Sequence, residues 1–179
     1  MELDLLEDEF LMERVRDLDD RSAFEELVKR HQKKILNFFY RCGVQYDAED
    51  LAQQTFVRLY RYRLNYKRSA KLTTFIFMMA RQIWIDELRK RTRIQRLKEG
   101  WRKEAKQVAE PETAVNDARV DLTDALAKLS EDMRLAVELG VYQGLNYSEV
   151  AQILEVPEGT VKSRIFNALR KLRQILEQG

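Results

Sequence analysis

The sequence predicts an all-α protein of two small helical domains, an N-terminal helical bundle and a C-terminal helix-turn-helix domain. Only two prolines and six glycines occur in 179 residues, so few positions would break a helix. Apolar residues recur at helical spacing on both sides of one polar tract that contains Pro111. We therefore predict domains at residues 1–93 and 116–179, joined by a flexible polar linker at residues 94–115.

Charge is strongly separated along the chain, although the net charge is only +2. Residues 1–26 hold eleven acids and three bases, and residues 107–154 hold nine acids and three bases. Between them, residues 58–106 hold sixteen bases and four acids, a local charge of +12. A block this one-sided is typical of a surface that binds a polyanion, although an accidental basic face is the alternative.

Several classes of protein are disfavoured. Cys42 and His31 are each the only residue of their kind, which excludes an internal disulfide and argues against a tetrahedral metal site. We expect Cys42 to be a buried apolar residue and His31, within the basic run KRHQKK, to be exposed. No phosphate-binding loop or catalytic motif is present, so we predict no enzyme activity, cofactor, metal or small-molecule substrate. The acidic N-terminus and the absence of an 18-residue apolar run predict a cytoplasmic protein.

The N-terminal half divides into helices at its turn and cap residues. An acidic amphipathic helix is predicted over residues 3–18, and a longer helix over Ala23–Cys42 that Gly43 ends. The next helix runs from Asp47 to about Tyr62, with Asp47 as its N-cap and Asp50 at the capping-box position. Its outward face carries acidic and amide groups. That face is either a solvated surface or a surface that docks on another protein.

The stretch Leu72–Arg93, the fourth predicted helix and labelled α4, is central to the functional prediction. Its inward positions are apolar, namely Ile76, Met79, Ala80, Ile83 and Trp84. Its outward stripe, which we call the α4 ridge, consists of Phe75, Met78, Gln82, Asp86, Arg89 and Arg93. Such a stripe suits a single strand of nucleic acid, because its cations can contact phosphates while its planar or polarisable side chains contact the faces of bases. The alternative is a core helix with a solvated, charged end.

The C-terminal half predicts a helix-turn-helix. A helix containing Val120–Leu129 is followed by a second helix over Glu131–Gln143, which Ser130 caps and in which Val141 faces inward. Asn146 and Glu149 form a capping box for a short helix at Tyr147–Leu154. After a turn at Glu155 and Val156, Pro157 opens a last helix with a basic outer face. That helix is sized for the major groove, whereas an ordinary helical hairpin is the alternative.

Three segments now resemble motifs of one family. DAEDLAQQTF, beginning at Asp47, resembles the D-x-x-Q-E-x-F segment of bacterial sigma-70 factors of the extracytoplasmic-function (group 4) class. KLTTFIFMMARQIWIDELRKR, beginning at Lys71, resembles the promoter-melting helix of that class. LNYSEVAQILEVPEGTVKSRIFNALRKL, beginning at Leu145, resembles its C-terminal helix-turn-helix. The resemblance implies a transcription initiation factor that binds RNA polymerase core and promoter DNA.

The resemblance also implies roles for individual residues. The residues implied to dock on the coiled coil of the largest polymerase subunit are Asp50, Gln53, Gln54, Phe56 and Tyr60. Those implied to bind the single-stranded −10 element are Asn65, Tyr66, Lys71, Arg81, Gln82, Arg89, Lys90 and Arg91. Those implied to bind the duplex −35 element are Lys162, Ser163, Arg164, Phe166, Asn167, Arg170 and Lys171. Factors of this class are commonly held inactive by an anti-sigma factor, often a membrane-bound one.

The sequence departs from the family pattern at three places. Gln54 stands where the family often has an acid, and Glu155 stands where it usually has glycine in the turn. Met78 and Met79 stand where housekeeping relatives have an aromatic pair. Two other functions remain open from the residues alone. One is a stand-alone helix-turn-helix regulator, and the other is a protein-interaction module whose basic charge is incidental.

Overall fold

The computed structural model describes residues 3–44, 46–69, 71–104 and 122–178, and the part of the chain that it describes contains eight α-helices and no strand. A short 3₁₀ turn at Leu3–Leu5 precedes the first helix. The helices are α1 (Asp8–Leu18), α2 (Arg21–Arg41), α3 (Ala48–Tyr62), α4 (Leu72–Glu104), α5 (Leu122–Ala127), α6 (Glu131–Val137), α7 (Tyr147–Leu154) and α8 (Glu158–Gln178). The all-α prediction is therefore confirmed.

The N-terminal half is built around α4. Helices α2 and α3 pack on it, and α1 crosses α2. The phenyl rings of Phe38, Phe39 and Phe77 meet edge to face, with centroids 5.3 and 5.7 Å apart. All the predicted inward residues of α4 are buried, namely Ile76, Met79, Ala80, Ile83 and Trp84. Because these side chains fix the rotation of α4 about its axis, they also fix which of its residues face outward.

Helix ends follow the cap residues in most places. The carboxylate of Asp20 accepts a hydrogen bond from the Ala23 amide at 3.1 Å and so begins α2. Gly43 follows the end of α2 with a φ of +86°, a left-handed conformation that suits glycine. Asp47 does occupy the N-cap position of α3, but its side chain makes no cap hydrogen bond. Instead its carboxylate lies 3.6 Å from Arg91, which corrects the predicted capping box.

The first helix begins later than predicted, and the reason is a tertiary contact. The guanidinium of Arg30 donates hydrogen bonds to the backbone carbonyls of Leu3, Asp4 and Leu6, which holds this segment outside the helix. Beside it, Nε2 of His31 lies 2.6 Å from the Asp8 carboxylate. His31 is only 3 % exposed, so the expectation of an exposed histidine was wrong. Hydrogen bonding to His31 lowers the pKa of Asp8 below its ordinary value.

Replacing Asp8 by asparagine should destabilise the fold by about 1–3 kcal/mol at neutral pH, because Arg30 and His31 lose a charged acceptor. The lowered pKa means that the carboxylate contributes stability above its pKa in the unfolded chain. That contribution is lost as the pH falls through its pKa in the folded chain. Urea unfolding of both proteins should therefore converge in acid. A constant difference across that range, or an equal loss in the exposed control Asp4→Asn, would contradict this role.

The C-terminal half has its own core, formed by Ala125, Leu126, Leu129, Val137, Ala168 and Leu172. The side chain of Ser130 caps α6, which continues as a π-helical turn at Glu138–Tyr142. Val141, predicted to face inward, is exposed because this wider turn rotates it outward. Asn146 and Glu149 form the predicted capping box, with both hydrogen bonds at 2.9 Å. Val120, predicted in the preceding helix, lies outside the described residues.

Helix α4 runs to Glu104, well past the predicted domain end at residue 93. The residues after 93 are mostly Arg, Lys, Gln, Glu and Leu, which favour a helix even where nothing packs on them. Part of the predicted linker is therefore helical, and residues 105–115 lie outside the described chain. The side chain of Trp101 is also outside the described part. The domain boundaries remain a prediction.

The two halves of the chain pack against each other. Helix α7 lies along α4, and the buried residues of the N-terminal half are continuous with Leu135, Leu139, Val150 and Leu154. The indole Nε1 of Trp84 donates to the carbonyl of Cys42 at 3.2 Å, close to this junction. Cys42 is buried as predicted, and burial raises the pKa of its thiol. The relative placement of the halves was not predictable from the sequence.

Candidate nucleic-acid and protein interfaces

The first candidate interface is the outward face of α3. Asp50, Gln53 and Gln54 are all exposed there, as predicted. The amide of Gln54 donates to the carboxylate of Asp50 at 2.6 Å, which orients both groups toward solvent. Together with Val57, Arg58, Arg61 and Ile83 they line a shallow depression of about 470 Å³. We call this set the α3 face. It combines one acid, two amides, two arginines and an exposed valine, and such a mixture of charged, polar and apolar groups suits contact with a protein.

Two residues assigned to this interface by resemblance do not reach it. Phe56 is 6 % exposed and belongs to the core. The hydroxyl of Tyr60 donates to Asp19 at 2.5 Å, and its ring packs between Phe24 and the guanidinium of Arg63. These rings pack within the fold and hold α3 in place, and their implied contact with polymerase remains a prediction. Val57, which the resemblance did not include, is exposed beside Gln53 and Gln54 on the same face.

The second candidate interface is the α4 ridge. Gln82, Asp86 and Arg89 are exposed, and Phe75 and Met78 are half-buried beside them. Their side chains line a pocket of about 760 Å³ with four further residues, Arg58, Tyr62, Met79 and Ile85. The rings of Tyr62 and Phe75 lie 5.2 Å apart in this pocket. Sequence reasoning missed Arg58 and Tyr62 as parts of this site, although their i, i+4 spacing places them on one face of α3.

The carboxylate of Asp86 organises the cations at the rim of this pocket. It lies 3.9 Å from Arg58 and 3.8 Å from Arg89. The pocket therefore has an aromatic and thioether wall and two guanidinium groups at its mouth. Such a site can accept the face of a base while the cations meet adjoining phosphates.

The loop before α4 only partly matches its prediction. Asn65 is exposed, but Tyr66 is 3 % exposed, and burial raises its pKa to about 12. Helix α1 covers this loop, since Arg16 donates to the carbonyl of Tyr66 at 3.1 Å. The ring of Tyr66 packs near Phe75, with centroids 6.1 Å apart. In this structure Tyr66 therefore supports the pocket wall from behind, and its implied contact with DNA remains a prediction.

The basic residues implied to bind the −10 element fall into two groups. Arg89 and Lys90 lie on the open surface of α4, as does the amide of Gln82. Arg91 is held by Glu87 at 2.8 Å. Lys71 and Arg81 instead face the C-terminal half. The ammonium of Lys71 lies 2.9 Å from Glu149, and the guanidinium of Arg81 lies 3.7 Å from Glu155.

The third candidate interface is the outer face of α8. Five of the seven implied residues are exposed: Lys162, Ser163, Phe166, Arg170 and Lys171. Phe166 is 67 % exposed, which is unusual for so large an apolar side chain. Arg164 is half-buried and pairs with Asp132 at 2.6 Å, and Asn167 is half-buried. The turn before α8 places Glu155 at a φ of +56°, a left-handed conformation that suits the glycine usual at this position in the family.

Other kinds of site find no support among the described residues. No group of three or more His, Cys, Asp or Glu side chains there could hold a metal ion. None of the described helices is both long and apolar enough to cross a membrane.

Comparison with known proteins agrees with the motifs. Residues 27–94 match Sigma-70 region 2, and residues 119–172 match Sigma-70, region 4. The chain is 30 % identical over 183 residues to the RNA polymerase sigma-H factor of Pseudomonas aeruginosa, covering 96 % of this chain and 94 % of that protein. It is 35 % identical over 159 residues to the ECF RNA polymerase sigma factor SigE of Mycolicibacterium smegmatis, covering 86 % of this chain and 62 % of that longer protein.

A solved structure is similar over most of the chain. It is the sigma factor RpoE of Bartonella quintana in complex with the anti-sigma factor NepR. The two superpose with a TM-score of 0.71 at 25 % identity, over 86 % of this chain and 96 % of that one. Sequence motifs, helical architecture and relatives of nearly equal length thus agree. The chain belongs to the sigma-70 family, as an extracytoplasmic-function sigma factor that directs RNA polymerase to promoters.

Proposed function

We propose that the α3 face docks on the coiled coil of the largest polymerase subunit. We further propose that the α4 ridge reads the −10 element as a single strand and that α8 reads the −35 element as duplex. The observation that carries the proposal is the contrast between the exposed surfaces. The α3 face combines an acid, amides, arginines and aliphatic groups without an aromatic ring, whereas the ridge and α8 present cations beside exposed or half-buried rings. One surface suits a protein, and the other two suit nucleic acid.

The pocket in the α4 ridge supports the −10 assignment. Its wall of Tyr62, Phe75 and Met78 would accept an unstacked base, and Gln82 at its edge offers an amide for hydrogen bonding. Stacking on an aromatic side chain contributes about 1–3 kcal/mol per base. Single-stranded DNA exposes base faces that duplex DNA hides, so such a pocket favours the melted strand. The wall contains methionines where housekeeping relatives have aromatic rings, so we expect weaker stacking and a greater dependence on the −35 contact.

The geometry of α8 supports the −35 assignment. Lys162, Ser163 and Phe166 lie in its first turns, which enter the major groove in helix-turn-helix proteins. Arg170 and Lys171 lie more than three turns into the helix, where the phosphate backbone comes closer than the base edges. Because the −10 and −35 contacts are made by one polymerase-bound chain, the first raises the effective concentration of the second. Their combined affinity can therefore be high even if each contact is weak alone.

We further propose an anti-sigma partner and a cytoplasmic site of action. The support is that the similar RpoE structure contains an anti-sigma factor and that the relatives named above act with RNA polymerase. Catalysis is not part of the proposal, because initiation factors of this family position the polymerase and the polymerase performs the chemistry.

The proposal is tested by in vitro transcription and gel filtration with purified polymerase core. We expect the chain to co-elute with core and to direct initiation only when core is present. A stand-alone regulator would instead bind a palindromic duplex tightly without core. A chain that fails to associate with core would overturn the proposal.

Replacing Arg170 by alanine should weaken holoenzyme binding to all promoter sequences by roughly three- to tenfold. It should also lower, by about one, the slope of the logarithm of the binding constant against the logarithm of the salt concentration. The reason is that Arg170 lies beyond the turns expected to meet bases, so its contact should be with phosphate. Binding is measured at several salt concentrations on the promoter and on mismatched variants. The exposed Arg173, one turn further and paired with Glu177, is the control. A loss confined to one base position would show that Arg170 reads sequence instead.

A further inference from the structure

The segment that joins α3 to α4 is held at both ends by the first helix. We call residues 65–69 and 71 the α3–α4 loop, and several of them are implied to contact the −10 element. At the start of this loop, the guanidinium of Arg16 donates to the backbone carbonyl of Tyr66 at 3.1 Å. Directly after it, the carboxylate of Glu9 accepts a hydrogen bond from the backbone amide of Leu72 at 2.9 Å. Both α1 side chains therefore bind the backbone and occupy no side chain of the loop.

The hydrogen bond to Glu9 supplies a cap that the local sequence lacks. Leu72 is the first residue of α4, so its amide has no partner within the helix. Helices commonly satisfy such amides with Ser, Thr, Asp or Asn just before the first turn. The side chain of Lys71, which stands there, has no acceptor. A carboxylate is also favourable at this end of a helix because of the helix dipole. The start of α4 therefore depends on an acid from α1.

Helix α1 is itself fixed to another part of the fold. The carboxylate of Asp8, the neighbour of Glu9, accepts a hydrogen bond from Arg30 at 2.8 Å and lies 2.6 Å from Nε2 of His31. The apolar face of α1 is fully buried through Leu11, Met12 and Val15. Two successive carboxylates thus connect α1 to α2 and to α4. The position of the loop backbone is therefore determined by packed helices and not by the loop alone.

The ion pairs between α1 and the side chains of the loop are weaker contacts. The guanidinium of Arg68 lies 2.8 Å from Glu7 and 3.9 Å from Glu13. The side chains of Arg68 and Glu7 are 50 % and 73 % exposed, and exposed ion pairs contribute little to stability because water screens them. A DNA phosphate could therefore replace these acids at Arg68 while the backbone contacts of Glu9 and Arg16 persist.

This arrangement leaves the outward side chains of the loop free to contact a partner. Asn65, Lys67 and Ser69 are exposed. Phe75, which lies in the first turn of α4, forms part of the wall of the pocket in the α4 ridge. Groups that discriminate between ligands must be held within roughly 0.5 Å of their productive positions. A loop that is already ordered also loses less conformational entropy on binding.

We propose that Glu9 is a positioning residue for recognition of the −10 element. This inference rests on the −10 function proposed above. Glu9 does not contact DNA, and it acts through the backbone amide of Leu72. Its hydrogen bond fixes the end of the α3–α4 loop and the first turn of α4, so that the loop side chains and Phe75 meet the strand in one register. Base selectivity at the −10 element therefore depends on the N-terminal helix.

The test compares three variants of the full chain, each assembled with polymerase core. Glu9→Ala removes the acceptor, whereas Glu9→Gln keeps an acceptor oxygen without the charge. The control Glu25→Ala makes the same substitution at an exposed position of α2. The probe is a pool of DNA fragments randomised at the −10 and −35 elements. Sequencing of the fragments that each holoenzyme binds gives the base preference at every position, and gel filtration measures core association.

We expect Glu9→Ala to lower the ratio between the most and least preferred base at −10 positions by about fivefold or more, because hydrogen bonds to bases lose their alignment. Preferences at the −35 element and core association should change by less than about twofold, since the surfaces proposed for them lie on other helices. Glu9→Gln and Glu25→Ala should both retain the −10 preferences of wild type.

Three results would overturn the proposal. One is an alanine variant that keeps its −10 preferences, and another is an equal loss of preference at both elements, which would indicate general destabilisation. The third is a glutamine variant as impaired as the alanine variant. A wild-type holoenzyme without any preference at the −10 element would instead overturn the proposed function. Preferences that are present in wild type and survive in Glu9→Ala would overturn only the role of Glu9.

Hydrogen–deuterium exchange tests the contact without requiring that the alanine variant be stable. Amides at the start of a helix normally exchange fast, because they have no partner within the helix. In wild type, the amide of Leu72 should instead be protected to an extent similar to that of amides one turn further into α4. Glu9→Gln should preserve this protection, and Glu9→Ala should lose it. Rapid exchange of the Leu72 amide in wild type would contradict the proposal.

Discussion

Replacing Asp50 and Gln53 together by alanine should weaken the association of this chain with polymerase core by about 10- to 100-fold. Both side chains are exposed at the centre of the α3 face, where they would be desolvated by a docked partner. Central polar anchors of this kind contribute about 1–3 kcal/mol when their partners are lost. The fold should be unaffected, because neither side chain packs in the core. Competition binding to core measures the effect.

A matched control is available on a different helix. Glu25 and Gln32 on α2 are exposed and carry the same kinds of group. Their replacement by alanine should leave core affinity within about twofold, because surface substitutions outside the interface have small effects. Equal core affinity in the two double variants would remove the α3 face as the docking surface. Thermal unfolding of both proteins should show that any difference in binding does not arise from misfolding.

Replacing Trp84 by alanine should destabilise the protein by about 3–5 kcal/mol. Trp84 is almost fully buried at the junction of α2, α4 and the C-terminal half, and its indole bonds the carbonyl that ends α2. Alanine leaves a large cavity there and removes that hydrogen bond. For a chain of this size, about 1 kcal/mol corresponds to roughly 2–4 °C in Tm. We therefore expect Tm to fall by about 10 °C, as measured by differential scanning calorimetry.

The variant Trp84→Phe separates packing from hydrogen bonding. Phenylalanine keeps most of the ring in place but cannot donate to Cys42. The phenylalanine variant should lose less than half as much stability as the alanine variant, because the cavity left behind dominates the cost of large-to-small replacements in a core. If the phenylalanine and alanine variants were equally unstable, the hydrogen bond would dominate. If both were nearly as stable as wild type, Trp84 would not hold the junction together.

Features that depend on neighbouring residues in the chain could be predicted from the sequence. The spacing of Ile76, Met79 and Ile83 predicted which side of α4 is buried, and it therefore predicted the α4 ridge. Asn146 and Glu149 predicted the start of α7 because a capping box is local. In each case the energetic reason lies within one helical turn.

Features that depend on distant parts of the chain could not be predicted. Tyr66 lies in a polar, basic loop, so nothing near it indicated that α1 would cover it. His31 lies in a basic run, yet its partner Asp8 comes from another helix. The partners of Lys71 and Arg81, Glu149 and Glu155, lie in the other half of the chain. Arg58 and Tyr62 joined the base-accepting pocket only because α3 packs against α4 at one angle.

The unbroken length of α4 helps set an upper limit on the distance between the α4 ridge and α8. At about 1.5 Å per residue, this 33-residue rod is roughly 50 Å long. About 33 Å of it separates Gln82 from the far end at Glu104. The seventeen residues that connect Glu104 to Leu122 add at most roughly 60 Å when drawn taut. The combined span is roughly 90 Å at most, so halving that connection should make transcription more sensitive to the spacing between the −10 and −35 elements.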